Sequence, residues 1–139
     1  MTNQLLTDQN KAIVRSFYEG GTNSEAGEYG DIFHPDFKVT APDYFPWGGT
    51  SNLKTYLDDV LEQVTAVLDF SRCRVVSLVG ENDLIVIVID IGIMGTPHTV
   101  QISEHWKITD GKAIDLWVAY FEPKQLLELI EKNAAQISR

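Results

Sequence analysis

Near residue 70 the hydrophobic repeat of this chain changes from helical to alternating. That change limits the folds open to it more than any other feature. Before it, Leu53, Tyr56, Leu57, Val60, Leu61, Val64, Val67 and Leu68 fall on one stripe of a helix. Thr50 and Ser51 are placed to open that helix, and Lys54, Asp58, Asp59, Glu62 and Gln63 form its polar face. After it come four alternating runs, at 70–79, 84–94, 99–109 and 113–121. Their separators are Gly80-Glu81-Asn82-Asp83, Gly95-Thr96-Pro97-His98 and Asp110-Gly111-Lys112. These carry turn chemistry and are too short for a crossover, so the runs form an antiparallel meander.

The flanking segments complete the pattern. Asp8 can cap a first helix through Ile13, Val14, Phe17 and Tyr18, which Gly20-Gly21 ends. A weaker helix is predicted over Ser24–Phe33, closed by His34-Pro35, with a short strand from Phe37 to Thr40. Pro42 to Gly49 reads as a loop from its proline and glycine content. Pro123 suits a first helical position, with Leu126, Leu127, Ile130 and Ala134 continuing a terminal helix. Helices first and strands later predict an α+β fold, its antiparallel sheet packed on N-terminal helices and a C-terminal helix. At 139 residues the chain fits one domain, 1–139, and carries no internal repeat.

Charge and cysteine count exclude several roles. The formal net charge is −9, so no surface is built to follow phosphates, and neither nucleic acid nor anionic lipid is an expected partner. The single cysteine, Cys73, excludes an intramolecular disulfide and a thiolate zinc cluster. His34, His98 and His105 lack ligand spacing, so no metal is expected, and no glycine-rich phosphate loop points to a cofactor. The start lacks a basic region followed by an apolar one, and the apolar run Leu84–Ile89 stops at Asp90. A cytoplasmic location is the resulting expectation.

Strand alternation then singles out two carboxylates. In 99–109, Val100, Ile102, Trp106 and Ile108 share one face, and Glu104 belongs to the same row. A carboxylate in an inward row is paired, protonated or at a pocket. In 84–94 both faces are apolar: Leu84, Val86, Val88 and Met94 on one, Ile85, Ile87, Ile89, Ile91 and Ile93 on the other. Asp90 interrupts the first of these. Two-sided apolarity means both faces are covered, and the isoleucine face is expected to meet another subunit. Phe17, Tyr18, Tyr44, Trp47, Trp106, Trp117 and Phe121 are the candidate ligand-binding residues.

Phe33-His34-Pro35-Asp36-Phe37, Phe45-Pro46-Trp47-Gly48-Gly49, Glu104 through Lys112, and Tyr120-Phe121-Glu122-Pro123 give the chain a further signature. In order and spacing it resembles the SnoaL-like branch of the nuclear transport factor 2-like superfamily over nearly its whole length. The resemblance implies a cone-shaped α+β barrel (cystatin-like roll), an apolar pocket and a homodimer through the outer sheet face. Members include ketosteroid isomerase, polyketide cyclases, epoxide hydrolases and proteins that only bind or assemble. Glu104-His105-Trp106-Lys107-Ile108 is similar to the run holding the isomerase's neutral acid donor. The isomerase tyrosine falls at Phe17, with Tyr18 beside it, and the isomerase base falls at Ala41, which argues against that reaction. The three polar positions of limonene-type epoxide hydrolases fall at Val88, Asp90 and Ala119, of which only Asp90 can act. Polyketide cyclases need one strand carboxylate, which Glu104 or Asp90 supplies. The expected function is a pocket protein for a small apolar, polycyclic or polyketide-like molecule. Glu104 and Asp90 are its catalytic candidates for cofactor-independent isomerisation or cyclisation. The alternative is a non-catalytic ligand-binding or dimerisation module.

Overall fold

The structure is a computed structural model and describes residues 3–19 and 32–137. Helix α1 spans Gln4–Glu19, and helix α2 runs over 53–67, where Tyr56–Val60 is wound as a π-turn. Helix α3 spans Lys124–Ile137. The strands are β1 (Phe33–Ala41), β2 (Gly49–Asn52), β3 (Leu68–Glu81), β4 (Leu84–Ile93), β5 (Thr99–Thr109) and β6 (Lys112–Phe121). They form one sheet in the order β2-β1-β6-β5-β4-β3, antiparallel throughout except for β1 beside β6. Register breaks in β3 at Asp69/Cys73 and Val75/Ser77, and at Lys107/Ile108 between β5 and β6, curve the sheet. The fold is the expected α+β class, with the meander at the expected positions.

Several local expectations are corrected. Asn3, not Asp8, caps α1: its Oδ1 accepts the Leu6 N–H at 3.1 Å, while Asp8 lies inside the helix and accepts from Gln4 Nε2. Thr50 and Ser51 do not open α2. They belong to β2 and pair with Thr40 and Val39, and Asn52 is the cap, its Oδ1 accepting from Thr55 N–H at 2.9 Å. Two β-branched or small polar residues at a sheet edge suit a strand as well as a cap, which explains the displacement. The strand expected at Phe37–Thr40 begins at Phe33. Of the helix expected over Ser24–Phe33, residues 24–31 lie outside the described residues.

The isoleucine face of β4 meets no partner subunit in the way expected, because it is the core itself. Ile85, Ile87, Ile89, Ile91 and Ile93 are all buried under the helices, with Val100, Ile102, Trp106 and Ile108 of β5 beside them. The outer face is therefore the row with Leu84, Val86, Val88 and Asp90. At its far end Gly92 leaves room for Arg72: an added Cβ would stand 2.5 Å from the guanidinium carbon. Arg72 uses that space to donate to Asp69 Oδ2 and to the Ile93 carbonyl, each at 2.9 Å.

A polar clasp fixes α1 on the sheet. The turn residue Asn82, at φ 57°, accepts on its backbone carbonyl from Asn10 Nδ2 (2.8 Å) and donates its N–H to Thr7 Oγ1 (2.8 Å). Both Thr7 and Asn10 are buried, and their bonds satisfy groups that would otherwise be costly there. The clasp sets the register that carries Phe17 and Tyr18 over β5. Among the described residues no helix is long and apolar enough to cross a membrane.

Candidate functional site

A narrow cavity lies between the inner face of the sheet and α2. Its volume is about 60 Å³. Its walls come from Phe17 of α1, Tyr56, Val60, Leu61 and Val64 of α2, and Ile89 and Ile91 of β4. Ile102 and Glu104 of β5, and Leu116, Val118 and Tyr120 of β6, form the floor, with Trp47 at one side. Tyr56 and Val60, four residues apart on the apolar stripe of α2, stand on the same wall.

Among the described lining residues Glu104 is the one acidic group. Burial raises its pKa from 4.5 to about 7, and a hydrogen bond from the Tyr18 hydroxyl offsets part of that rise. Its side chain is half-buried because it borders the hollow rather than packed protein. Neither arginine near the β3–β4 end neutralises it: Arg72 pairs with Asp69, and Arg74 pairs with Asp90. A carboxyl with no cation partner in an apolar wall holds its proton near neutral pH, so it can donate or accept one there.

Tyr18 links this acid to the aromatic core. Its oxygen accepts from Trp106 Nε1 at 3.0 Å, and burial, then the Glu104 charge, raise its pKa well above the usual phenol range. Trp106 is held in turn by Phe17, Phe33 and Phe37, with ring centroids 5.3 to 6.4 Å away. The indole thus fixes the hydroxyl that faces the carboxyl.

The structure brings together only part of the expected site. Phe17, Trp47 and Glu104 line the cavity, Tyr18 touches Glu104, and Trp106 stands behind Tyr18. Asp90 is on the opposite face of the sheet, ion-paired with Arg74 and within 3.5 Å of Gln101 Nε2, so it cannot share a ligand with Glu104. Trp117 and Phe121 are 51% and 64% exposed on that outer face, and Tyr44 is exposed against Phe45. Alternation explains the two strand aromatics: in β6 the inward residues are Leu116, Val118 and Tyr120.

Tyr120 and Tyr56 are cavity residues that the sequence reading did not select. Tyr120 packs on Phe45 at 4.3 Å, and Phe45 stacks on Trp47 at 4.8 Å. The pKa of the Tyr120 hydroxyl is raised by burial and then by the Glu104 charge. Gly48 makes the tight Pro42–Gly48 loop possible, because an added Cβ would come within 2.3 Å of the Pro42 carbonyl. Among the described residues no group of three His, Cys, Asp or Glu side chains could hold a metal ion.

No family model matches the chain, and no curated protein matches it by sequence. Solved structures do. TerC co-crystallized with polyporic acid superposes with a TM-score of 0.71 at 21% identity, covering 86% of this chain and 98% of that one. An NTF2-like protein of unknown function from Burkholderia pseudomallei gives 0.69 at 17% identity over 85% and 95% of the two chains. A protein of unknown function with a cystatin-like fold from Xanthomonas campestris gives 0.70 at 16% identity, over 84% and 93%. These likenesses establish the fold.

Proposed function

We propose that this chain, built on the nuclear transport factor 2-like fold, is a small-molecule pocket protein whose cavity takes an apolar ligand and anchors it on Glu104. The carrying observation is the unneutralised Glu104 carboxyl at an apolar wall, its pKa raised to about 7. Such a group supports cofactor-independent proton transfer of the kind that isomerases and cyclases use. The similar fold of a protein that holds polyporic acid supports a cyclic organic ligand. Among the described lining residues there is no second carboxylate, lysine or histidine, which supports the other reading, binding without turnover.

One experiment separates them. 2-Tetralone, a compact enolisable ketone, is incubated with the protein in D₂O and its α-proton exchange is followed by NMR. The catalytic reading expects exchange above background that falls about a hundredfold in Glu104→Gln. Exchange at background, with shifts of Phe17, Trp47 and Tyr120 signals showing that ketone is bound, leaves a non-catalytic binder. No shift at saturating ketone contradicts the pocket reading.

We further propose that a second copy of the chain covers the outer sheet face. Four rows cross it: Arg74-Asp90-Gln101-Phe121, Ser77-Val88-Ser103-Ala119, Val79-Val86-His105-Trp117 and Glu81-Leu84-Lys107-Asp115. The middle two are apolar or small apart from His105, whose Nε2 is tied to Ser103 Oγ at 2.9 Å. Charges on the outer two nearly cancel, which lets two chains of net charge −9 meet here with the least repulsion. Sedimentation should show a dimer that Ala119→Arg, at the centre of the face, converts to a folded monomer. A wild-type monomer at about 100 μM, a concentration where a stable interface stays closed, would refute it.

A further inference from the structure

In the two middle rows of the outer sheet face, only His105 titrates near neutral pH. It stands between Val86 of β4 and Trp117 of β6, and its ring meets the Trp117 ring edge to face at 4.8 Å. The charged groups on the same face lie outside those rows. Lys107 is next along β5, Asp115 of β6 is opposite Lys107, and Lys38 of β1 is beside Asp115. Glu81 of β3 ends that row, and the Arg74–Asp90 pair is two rows away on the other side. Among the described residues no carboxylate is paired with His105, and burial lowers its pKa below the usual 6.5. Ser103 Oγ, 2.9 Å from Nε2, can give a proton to a neutral ring or accept one from a charged ring, so that bond does not choose the charge.

We propose that His105 makes the pairing of two chains pH-dependent: the outer faces join while both imidazoles are neutral and separate when acid protonates them. The inference rests on the outer-face reading above and adds regulation to it. A two-fold contact centred on Ala119 presents the same patch from both chains. Gln101, Ser103, His105, Trp117 and Phe121 surround Ala119 on that patch, and none of them is an acid. His105 is the diagonal neighbour of Ala119, about 7–8 Å away, so both copies of the ring enter the desolvated middle. An imidazolium there loses water without gaining a carboxylate, and the second one repels it. The Trp117 contact is present in the single chain and in the pair, so it cancels between them. The pair therefore holds these protons less tightly than the separate chains, and association weakens as pH falls below 6.5. General repulsion runs the other way, because the net charge of −9 shrinks on acidification.

Sedimentation of the full chain over a concentration series at pH 7.5, 6.5, 5.5 and 5.0 tests this. The dissociation constant is expected to rise at least about tenfold from the first pH to the last, since each opened pair takes up two protons. His105→Gln keeps an amide that can bond to Ser103 Oγ but takes up no proton, and its constant should change less than about threefold. A flat wild-type constant, or a variant that weakens as much as wild type, overturns the inference while the dimer stands. Ring-proton NMR gives a second measurement that does not need the variant to pair. The His105 signal, identified by its loss in His105→Gln, should titrate at lower pH in wild type concentrated above the dissociation constant than in wild type diluted below it. Equal midpoints overturn the inference. A wild-type chain that is monomeric at about 100 μM and pH 7.5 overturns the dimer and this inference together.

Discussion

Replacing Trp106 with alanine is expected to cost about 3–5 kcal/mol of stability, the range for removing a large aromatic from a packed core. Trp106 is 1% exposed and its ring is shared by Phe17, Tyr18, Phe33 and Phe37, which belong to α1 and β1. No other side chain is placed to fill that space, since these rings are anchored on different elements. The milder Trp106→Phe keeps much of the packing and removes the 3.0 Å bond to the Tyr18 hydroxyl. It should cost about 1–3 kcal/mol, because a buried polar oxygen is left without its donor. Urea denaturation of the two variants at pH 6 gives both figures. A loss below about 1 kcal/mol for alanine would mean that the aromatic cluster does not tie α1 to the sheet.

The second large effect is on the pH dependence of stability. Glu104 has its pKa raised from 4.5 to about 7 in the folded chain. The folded state therefore holds the proton more tightly than the unfolded state does. Its contribution is most favourable below pH 4.5 and is lost progressively as pH rises to 7, above which the loss is constant. About two and a half units amount to about 3 kcal/mol, an upper figure because the cavity admits water to the group. Glu104→Gln has no such loss. The variant should gain on wild type from pH 4.5 to 7 and stay ahead at pH 8. Asp69 does not confuse the comparison. Hydrogen bonds from Ser71 and then Arg72 hold its pKa below the usual value, so its contribution is lost only at lower pH. Denaturant midpoints of the two proteins at pH 5, 6, 7 and 8 test this, and parallel curves would refute it.

How much of the site was legible depends on the strand. In β5 one row is apolar and the other polar, so the inward direction follows from alternation and Glu104 stands out on it. In β4 both rows are apolar, and nothing local says which one faces the core. That is decided by the helices above Ile85 to Ile93 and by Arg74, three-dimensional neighbours that no local pattern announces. Asp90 was thus visible as an anomaly but not as an outward one. In β6 the signal for Tyr120 exists, since it alternates with Leu116 and Val118. Size draws attention instead to Trp117 and Phe121, which sit in the opposite phase.

Helix ends and the parallel pairing were harder for a different reason. Asn3 and Asp8 are both competent caps, and the choice between them is made by Asn82, which accepts the Asn3 N–H at 2.7 Å from the far hairpin. Pairing of β1 with β6 joins residues some 75 positions apart, such as Val39 and Leu116, and leaves no mark on either segment alone. The cavity itself is a property of the assembled walls. Its floor follows from strand alternation and its opposite wall from the α2 stripe with Tyr56 and Val60, but the hollow left between them has no sequence signature.

Glu104 keeps its proton near neutral pH because it faces an apolar cavity whose described lining residues include no cation. The most direct test is an NMR titration of its side-chain carboxyl carbon, assigned by comparison with Glu104→Gln. A midpoint at about 7 is the predicted result. A midpoint near 4.5, that of a solvated glutamate, would contradict the account.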